Sequence, residues 1–189
     1  MKNILIVFLL SFVFFAHAQK GSGTFSASYG IGKGQVKTQL AKAEMLGIYA
    51  EGDVRTFDLN LAGAISKSTA IEIGVRVLNH QYQFTSFDFS RKIVTENRSV
   101  NTMVFPIKLR VDILKYFFIS GGILLSADIG RSHQVDLGAG IGAGVQYYFK
   151  NKYGFFIHPQ TNVHTLIIGL SESHIAFGVS YRISTSLKK

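Results

Sequence analysis

Two serine–histidine neighbours, Ser132-His133 and Ser173-His174, are the residue types here that could carry nucleophilic chemistry, because an imidazole within hydrogen-bond reach activates a hydroxyl. Their spacing works against it: neighbours on an extended chain point to opposite faces. A working site would need a cross-loop arrangement with Asp88 or Glu172. His80, His133, His164 and His174 are ligand types for a metal, but they sit in separate segments with no i, i+2 or i, i+4 pairing. They are expected to be solvated at one rim. The run Gly138-Ala-Gly-Ile-Gly-Ala-Gly144 lacks the strand–turn–helix setting and the Lys-Ser or Lys-Thr of a phosphate loop. The chain has no cysteine, which excludes disulfides and thiolate zinc sites. Asn97-Arg98-Ser99 matches a glycosylation sequon and carries no weight. No catalytic residue, cofactor or metal is expected.

What positions these residues is a period of two. In Val135 to Phe149 every odd position is apolar, while the even positions are Asp136, four glycines, Gln146 and Tyr148. Alternation of this kind gives a strand with one apolar face. Its length exceeds the five or so residues of an ordinary strand and suits the roughly 9 to 11 that cross a hydrocarbon layer. Eight segments share the pattern with apolar residues mainly on odd numbers: Phe25 to Lys33, Arg55 to Ile65, Ala70 to Phe84, Val100 to Asp112, Tyr116 to Asp128, Gln134 to Phe149, Tyr153 to Val163 and Ser173 to Ile183. Short connections (Ser66 to Thr69, Ile113 to Lys115, Lys150 to Lys152) alternate with longer ones (Gly34 to Val54, Thr85 to Ser99, Ile129 to His133, His164 to Glu172). Short turns at one end and long loops at the other are the layout of an outer-membrane barrel. Within Gly34 to Val54, an extension of the second strand through Leu46 to Ala50 is favoured over an amphipathic helical turn.

The fold class expected is therefore all-β, an eight-stranded antiparallel up-and-down transmembrane barrel. Closure is required because strands in hydrocarbon must leave no unpaired edge. Eight strands enclose a lumen that side chains can fill. The even-numbered polar residues would fill it: Asp58, Glu72, Arg76, Lys108, Arg110, Asp136, Gln146, His158, Gln160 and Arg182 form an expected ion-pair network plugging the interior, with a narrow ion path as the alternative. The glycines of the even face would make room for bulky neighbours such as Arg76, Lys108 or Arg110. Tyr116 to Phe118, Tyr147 to Phe149, Tyr153, Phe155 and Phe156, beside the short turns, read as an aromatic girdle at a membrane interface.

The first residues, Met1-Lys2-Asn3, then Ile4 to Phe15, then Ala16-His17-Ala18, have the three parts of a cleavable secretory signal. The domains expected are a signal peptide at 1–18, the barrel at 19–184 and a short basic tail at 185–189. The formal net charge of +9 falls by one when Lys2 leaves with the signal. The cations are scattered, which argues against nucleic acid as a partner.

The strand Phe105-Pro-Ile-Lys108, the stretch Phe118-Ile-Ser-Gly-Gly-Ile-Leu-Leu-Ser126, the glycine-alternating Asp136 to Phe149 and the closing Phe177-Gly-Val-Ser-Tyr-Arg-Ile183 resemble the small outer-membrane β-barrels of Bacteroidota called PorT-like. The resemblance implies an integral barrel with no shared catalytic residues. The chain departs from such barrels at its end, where Ile183 is followed by Ser184 to Lys189 instead of closing on an aromatic. The function expected is non-enzymatic, structural or exerted through the outer loops. The partners expected are outer-membrane lipids and an envelope or extracellular protein. Two rivals remain: a soluble exported lipocalin-like binder, which would turn its apolar face inward, and a lipid-modifying barrel enzyme.

Overall fold

The computed structural model describes residues 22–38, 48–87, 93–128, 135–164 and 170–184. They form eight strands: β1 (Ser22–Thr38), β2 (Ile48–Ala64), β3 (Thr69–Phe87), β4 (Ile93–Asp112), β5 (Phe117–Asp128), β6 (Val135–Tyr148), β7 (Tyr153–His164) and β8 (Leu170–Ser184). Each pairs antiparallel with its sequence neighbour, and β8 closes on β1 through a register running from Ser22↔Ser184 to Val36↔Leu170. The expected eight-stranded barrel is the fold found. The signal peptide, the basic tail and the Ser132-His133 pair lie outside the described residues.

The alternation in sequence is one parity carried through the whole wall. Among the described residues every buried side chain has an even number, and every exposed large apolar residue within a strand has an odd one. Ile31, Phe57, Ile107, Ile119, Ile141, Ile157 and Phe177, from seven of the strands, all face outward and are 42–72% exposed. A continuous apolar exterior of this extent is a surface for hydrocarbon rather than water.

Tight turns close one end. In the first, Ile65 N–H donates to the Thr69 carbonyl at 2.8 Å, and Ser66 Oγ accepts from the Ser68 and Thr69 amides. In the third, Lys152 takes a φ of 72° and its amide donates to the Phe149 carbonyl. Beside these turns, Tyr116, Tyr147, Phe149 and Phe155 form a chain of ring contacts with centroids 5.1–6.1 Å apart. Their rings point outward, as a girdle requires.

Two expected connections are partly strand. The stretch Thr85 to Ser99, read as loop, is hairpin as far as Phe87↔Ile93. Likewise, β1 and β2 continue to Thr38↔Ile48, so the extension of the second strand is present, with β1 growing to meet it. The reason is that these parts rise above the apolar band. There the outward residues are Lys33, Gln35, Asp53, Gln81 and Ser99, and the apolar alternation that betrays a strand in lipid is gone.

Both prolines mark interruptions in the ladder. The β3–β4 register is unbroken in phase but unpaired between Ile73↔Ile107 and Arg76↔Val104, beside Pro106. The β6–β7 register skips from Gly142↔Gln160 to Val145↔Ile157, beside Pro159. Proline brings no N–H to either ladder.

Candidate functional site

The even-numbered side chains meet in the lumen, in three layers. At the loop end Val54, Leu78 and Leu170 form an apolar cap with Tyr82 packed against it. In the middle lies a continuous polar network. At the turn end two arginine–aromatic stacks make a floor.

Arg76 is the centre of the middle layer, 1% exposed. Its Nε and Nη2 donate to the two carboxylate oxygens of Asp58 at 2.6 and 3.0 Å, the bidentate geometry that suits a buried guanidinium. Nη2 also donates to Gln160 Oε1 at 2.9 Å, and Nη1 reaches Glu172 Oε1 at 3.5 Å. Gln160 Oε1 accepts a second bond from Lys108 Nζ at 2.8 Å, so one amide oxygen bridges two cations. Asp58 and Arg76 face each other directly in the β2–β3 register, as do Glu72 and Lys108 in β3–β4. A lone charge here would carry a large desolvation cost; the pairing offsets it.

Glu172 joins this network to a histidine corner. Its Oε1 accepts from Asn162 Nδ2 at 2.8 Å and lies 3.8 Å from His164 Nε2 and 4.0 Å from His174 Nδ1. His164 Nδ1 bonds Ser126 Oγ at 2.8 Å, and on the other side His158 Nε2 bonds Ser120 Oγ at 3.0 Å. The rim expectation for His80, His164 and His174 is corrected: all three are buried in the lumen, His80 and His174 within the segments expected as strands and His164 at the end of β7, one residue past the expected boundary. Their even numbers were the signal, since they share the parity of Asp58 and Arg76. Glu172 is missed by the same boundary, having been placed in a loop.

The glycines provide the seats. A Cβ on Gly140 would lie 2.1 Å from Asn162 Oδ1, one on Gly142 would meet His158 Nε2 at 2.4 Å, and one on Gly144 would enter the Phe118 ring. The expected role, room for bulky neighbours, is what they perform, but the neighbours are on β7 and β5 rather than Arg76 or Arg110.

At the floor, the Arg110 guanidinium lies 3.8 Å from the Phe118 ring centroid and Arg182 lies 3.6 Å from that of Tyr148. Arg110 also donates to Gln146 Oε1 and, at 3.1 Å, to Asp112, which accepts from Gln146 Nε2 at 3.0 Å. Of the residues singled out in the sequence, Asp58, Arg76, Lys108, Gln146, His158 and Gln160 are buried in the lumen, and so is Asp136, opposite Ser126 in the β5–β6 register. Glu72 and Arg110 are half-buried and Arg182 is exposed at the mouth. Between Glu72, Lys108, Arg110 and His158 a cavity of about 10 Å³ remains, room for about one water.

Chemically, Ser126, His164 and Glu172 stand in the order of a nucleophile, a base and an orienting carboxylate. Ser126 is buried, however, and the 10 Å³ cavity is lined by other residues. Ser173 and His174 do diverge: Ser173 Oγ bonds Thr161 on the exposed face, while His174 is buried. Among the described residues no group of three or more His, Asp or Glu is arranged to hold a metal ion. A lipocalin-like apolar cavity is also ruled out, because the charged set faces in and the apolar set faces out.

No protein-family model matches this chain, and no curated protein is similar in sequence. Its fold is similar to solved outer-membrane barrels, three of which follow. The outer membrane protein OprG from Pseudomonas aeruginosa is 10% identical, with a TM-score of 0.58 over 86% of this chain and 96% of that one. AlkL, an outer membrane protein solved in lipid bilayers, is 16% identical, with 0.52 over 90% and 93%. Neisserial surface protein A is 13% identical, with 0.50 over 83% and 96%. At these identities the likeness is one of fold: the small eight-stranded outer-membrane barrel.

Proposed function

We propose that this chain is a non-enzymatic integral protein of a bacterial outer membrane, with a lumen sealed by its own side chains and a role that is structural or exerted through the loop end. The observation that carries this is the plug: an apolar cap, the Arg76 network and the arginine–aromatic floor occupy successive levels of the lumen. The exposed apolar wall supports membrane insertion, with outer-membrane lipids as the first partners. The closer kinship with PorT-like barrels rests on the Phe105 to Lys108, Phe118 to Ser126, Asp136 to Phe149 and Phe177 to Ile183 stretches alone.

The test is single-channel recording of the purified protein in planar bilayers, alongside gel mobility with and without boiling. A heat-modifiable band with no stable open conductance is the expected result. A steady conductance would overturn the seal, and a protein recovered in the soluble periplasm would overturn the membrane reading.

A further inference from the structure

The outer wall carries rows of amide side chains on one side of the barrel. Above Ile31, Phe57, Val77 and Met103, strands β1 to β4 continue outward with Lys33, Asp53, Gln81, Gln83, Asn97 and Ser99 on the exterior face. With Glu51, whose carboxylate accepts from Gln35 Nε2 at 2.8 Å, and with Gly52 and Tyr82, these residues line a groove of about 590 Å³. Lys33 Nζ and Asp53 Oδ1 are paired at 2.6 Å at one edge. Just below, Asn79 Nδ2 donates to Asn101 Oδ1 at 2.6 Å. The register pairs Gln81 with Ser99 and Gln83 with Asn97, and these four side chains have no protein hydrogen bond among the described residues. They present amide donors, amide acceptors and a hydroxyl in two adjacent rows. Rows of neutral, two-way hydrogen-bonding groups complement the hydroxyls of a sugar rather than a single charge.

Height identifies the occupant. From Val77 to Gln83 the strand rises by about 20 Å, which at the usual tilt is about 15 Å above the end of the apolar band. The headgroup layer of a phospholipid is only about 5 to 8 Å deep on each side of a bilayer. A phospholipid therefore reaches the foot of this groove but not its top. A lipid whose headgroup is a chain of several sugars reaches both, with its acyl chains on Ile31 and Val77 below. On β5 and β6 the outward residues remain apolar close to the loop end at Ala127 and Val135. On β7 and β8 the small hydroxyls Thr161, Ser171 and Ser173 stand level with Lys33 and Gln35, with Thr161 bonding Ser173. No outward amide row stands on these four strands among the described residues. We infer that the groove on the outer face of β1 to β4 binds the oligosaccharide headgroup of an outer-leaflet glycolipid. This rests on the membrane reading proposed above.

The probe is purified lipopolysaccharide carrying its core sugars. The full chain is reconstituted in phosphatidylethanolamine vesicles alone, with lipid A that lacks core sugars, or with the sugar-bearing form, and lipid retained after affinity purification is measured. Selective retention of the sugar-bearing form is expected. The triple variant Gln81→Ala, Gln83→Ala, Asn97→Ala should lower that retention by about tenfold, the scale of one or two lost hydrogen bonds. Heat-modifiable mobility in phosphatidylethanolamine alone reports separately on barrel closure and insertion, so loss of the fold is distinguished from loss of the site. Equal retention of lipid A and the sugar-bearing form, or unchanged retention by a folded triple variant, would overturn the inference.

Discussion

The barrel has a tall half and a short half. Strands β1 to β4 run 17 to 20 residues, whereas β5 to β8 run 12 to 15. The tall half is ruled by cross-strand polar pairs on its exterior, such as Lys33–Asp53, Gln35–Glu51 and Asn79–Asn101. The short half has aromatic rings at its turns and the run of four alternating glycines on the interior of β6, while single seats such as Gly30 and Gly74 serve the tall half. A strand wall thus answers two different solvents. In lipid it is specified by apolar side chains facing out, and above lipid by direct side-chain pairing along the register.

The two halves meet at Arg76, where the largest effect is expected. Arg76→Ala removes the partner of two buried carboxylates on β2 and β8, and breaking a buried pair in this way costs about 3 to 5 kcal/mol. Urea unfolding in detergent micelles followed by heat-modifiable mobility should show it; a midpoint unchanged from wild type would mean the halves are not joined through this residue. Next comes the outside of the short half. Ile141→Arg, at mid-height on β6, should cost about 2 to 4 kcal/mol on a lipid face, whereas Gln81→Arg on the tall half should leave the same unfolding midpoint in place. If both behave alike, the polar wall is not above the hydrocarbon. Inside the short half, Gly140→Ala drives a methyl into Asn162 and should cost about 1 to 3 kcal/mol. Gly23→Ala on the tall half meets nothing closer than 3.8 Å and serves as its control.

The smallest effect concerns pH. Lys33 beside Asp53 holds its carboxyl below the ordinary value of 3.8, first through their hydrogen bond and then through the charge attraction. A depressed carboxyl contributes stability above the unfolded value that is lost as pH falls through the folded one. The stability difference between wild type and Asp53→Asn should therefore shrink as pH falls below 3.8. A difference that is constant across that range would show that the pair is not coupled to folding.

Much of this was legible in sequence, and the boundary of legibility is physical. All eight strands announce themselves where lipid demands apolar residues at every second position, as in Phe57-Asp-Leu-Asn-Leu61 or Val135 to Phe149. The hairpin from Gln81↔Ser99 to Phe87↔Ile93 does not, because at its base the outward residues Gln81, Gln83, Asn97 and Ser99 are polar and exposed and carry no apolar period. The same truncation hid the site. His164 and Glu172 fall at the ends of the apolar alternation on β7 and β8, so they read as loop residues, although their parity already placed them with Asp58 and Arg76. Which glycine seats which side chain depends on the lateral offset between strands, and no single strand carries that information.

The reach of Arg76 has a kinetic side. Its partners Gln160 and Glu172 are 84 and 96 residues away along the chain, on the last two strands. The bond to Gln160 needs β7 in place and the bond to Glu172 needs β8, so neither can assist local pairing among β1 to β4. Interactions made after the barrier slow unfolding without speeding folding. The network is expected to act as a latch set last, which a faster opening of the closed barrel in Arg76→Ala with an unchanged folding rate would show.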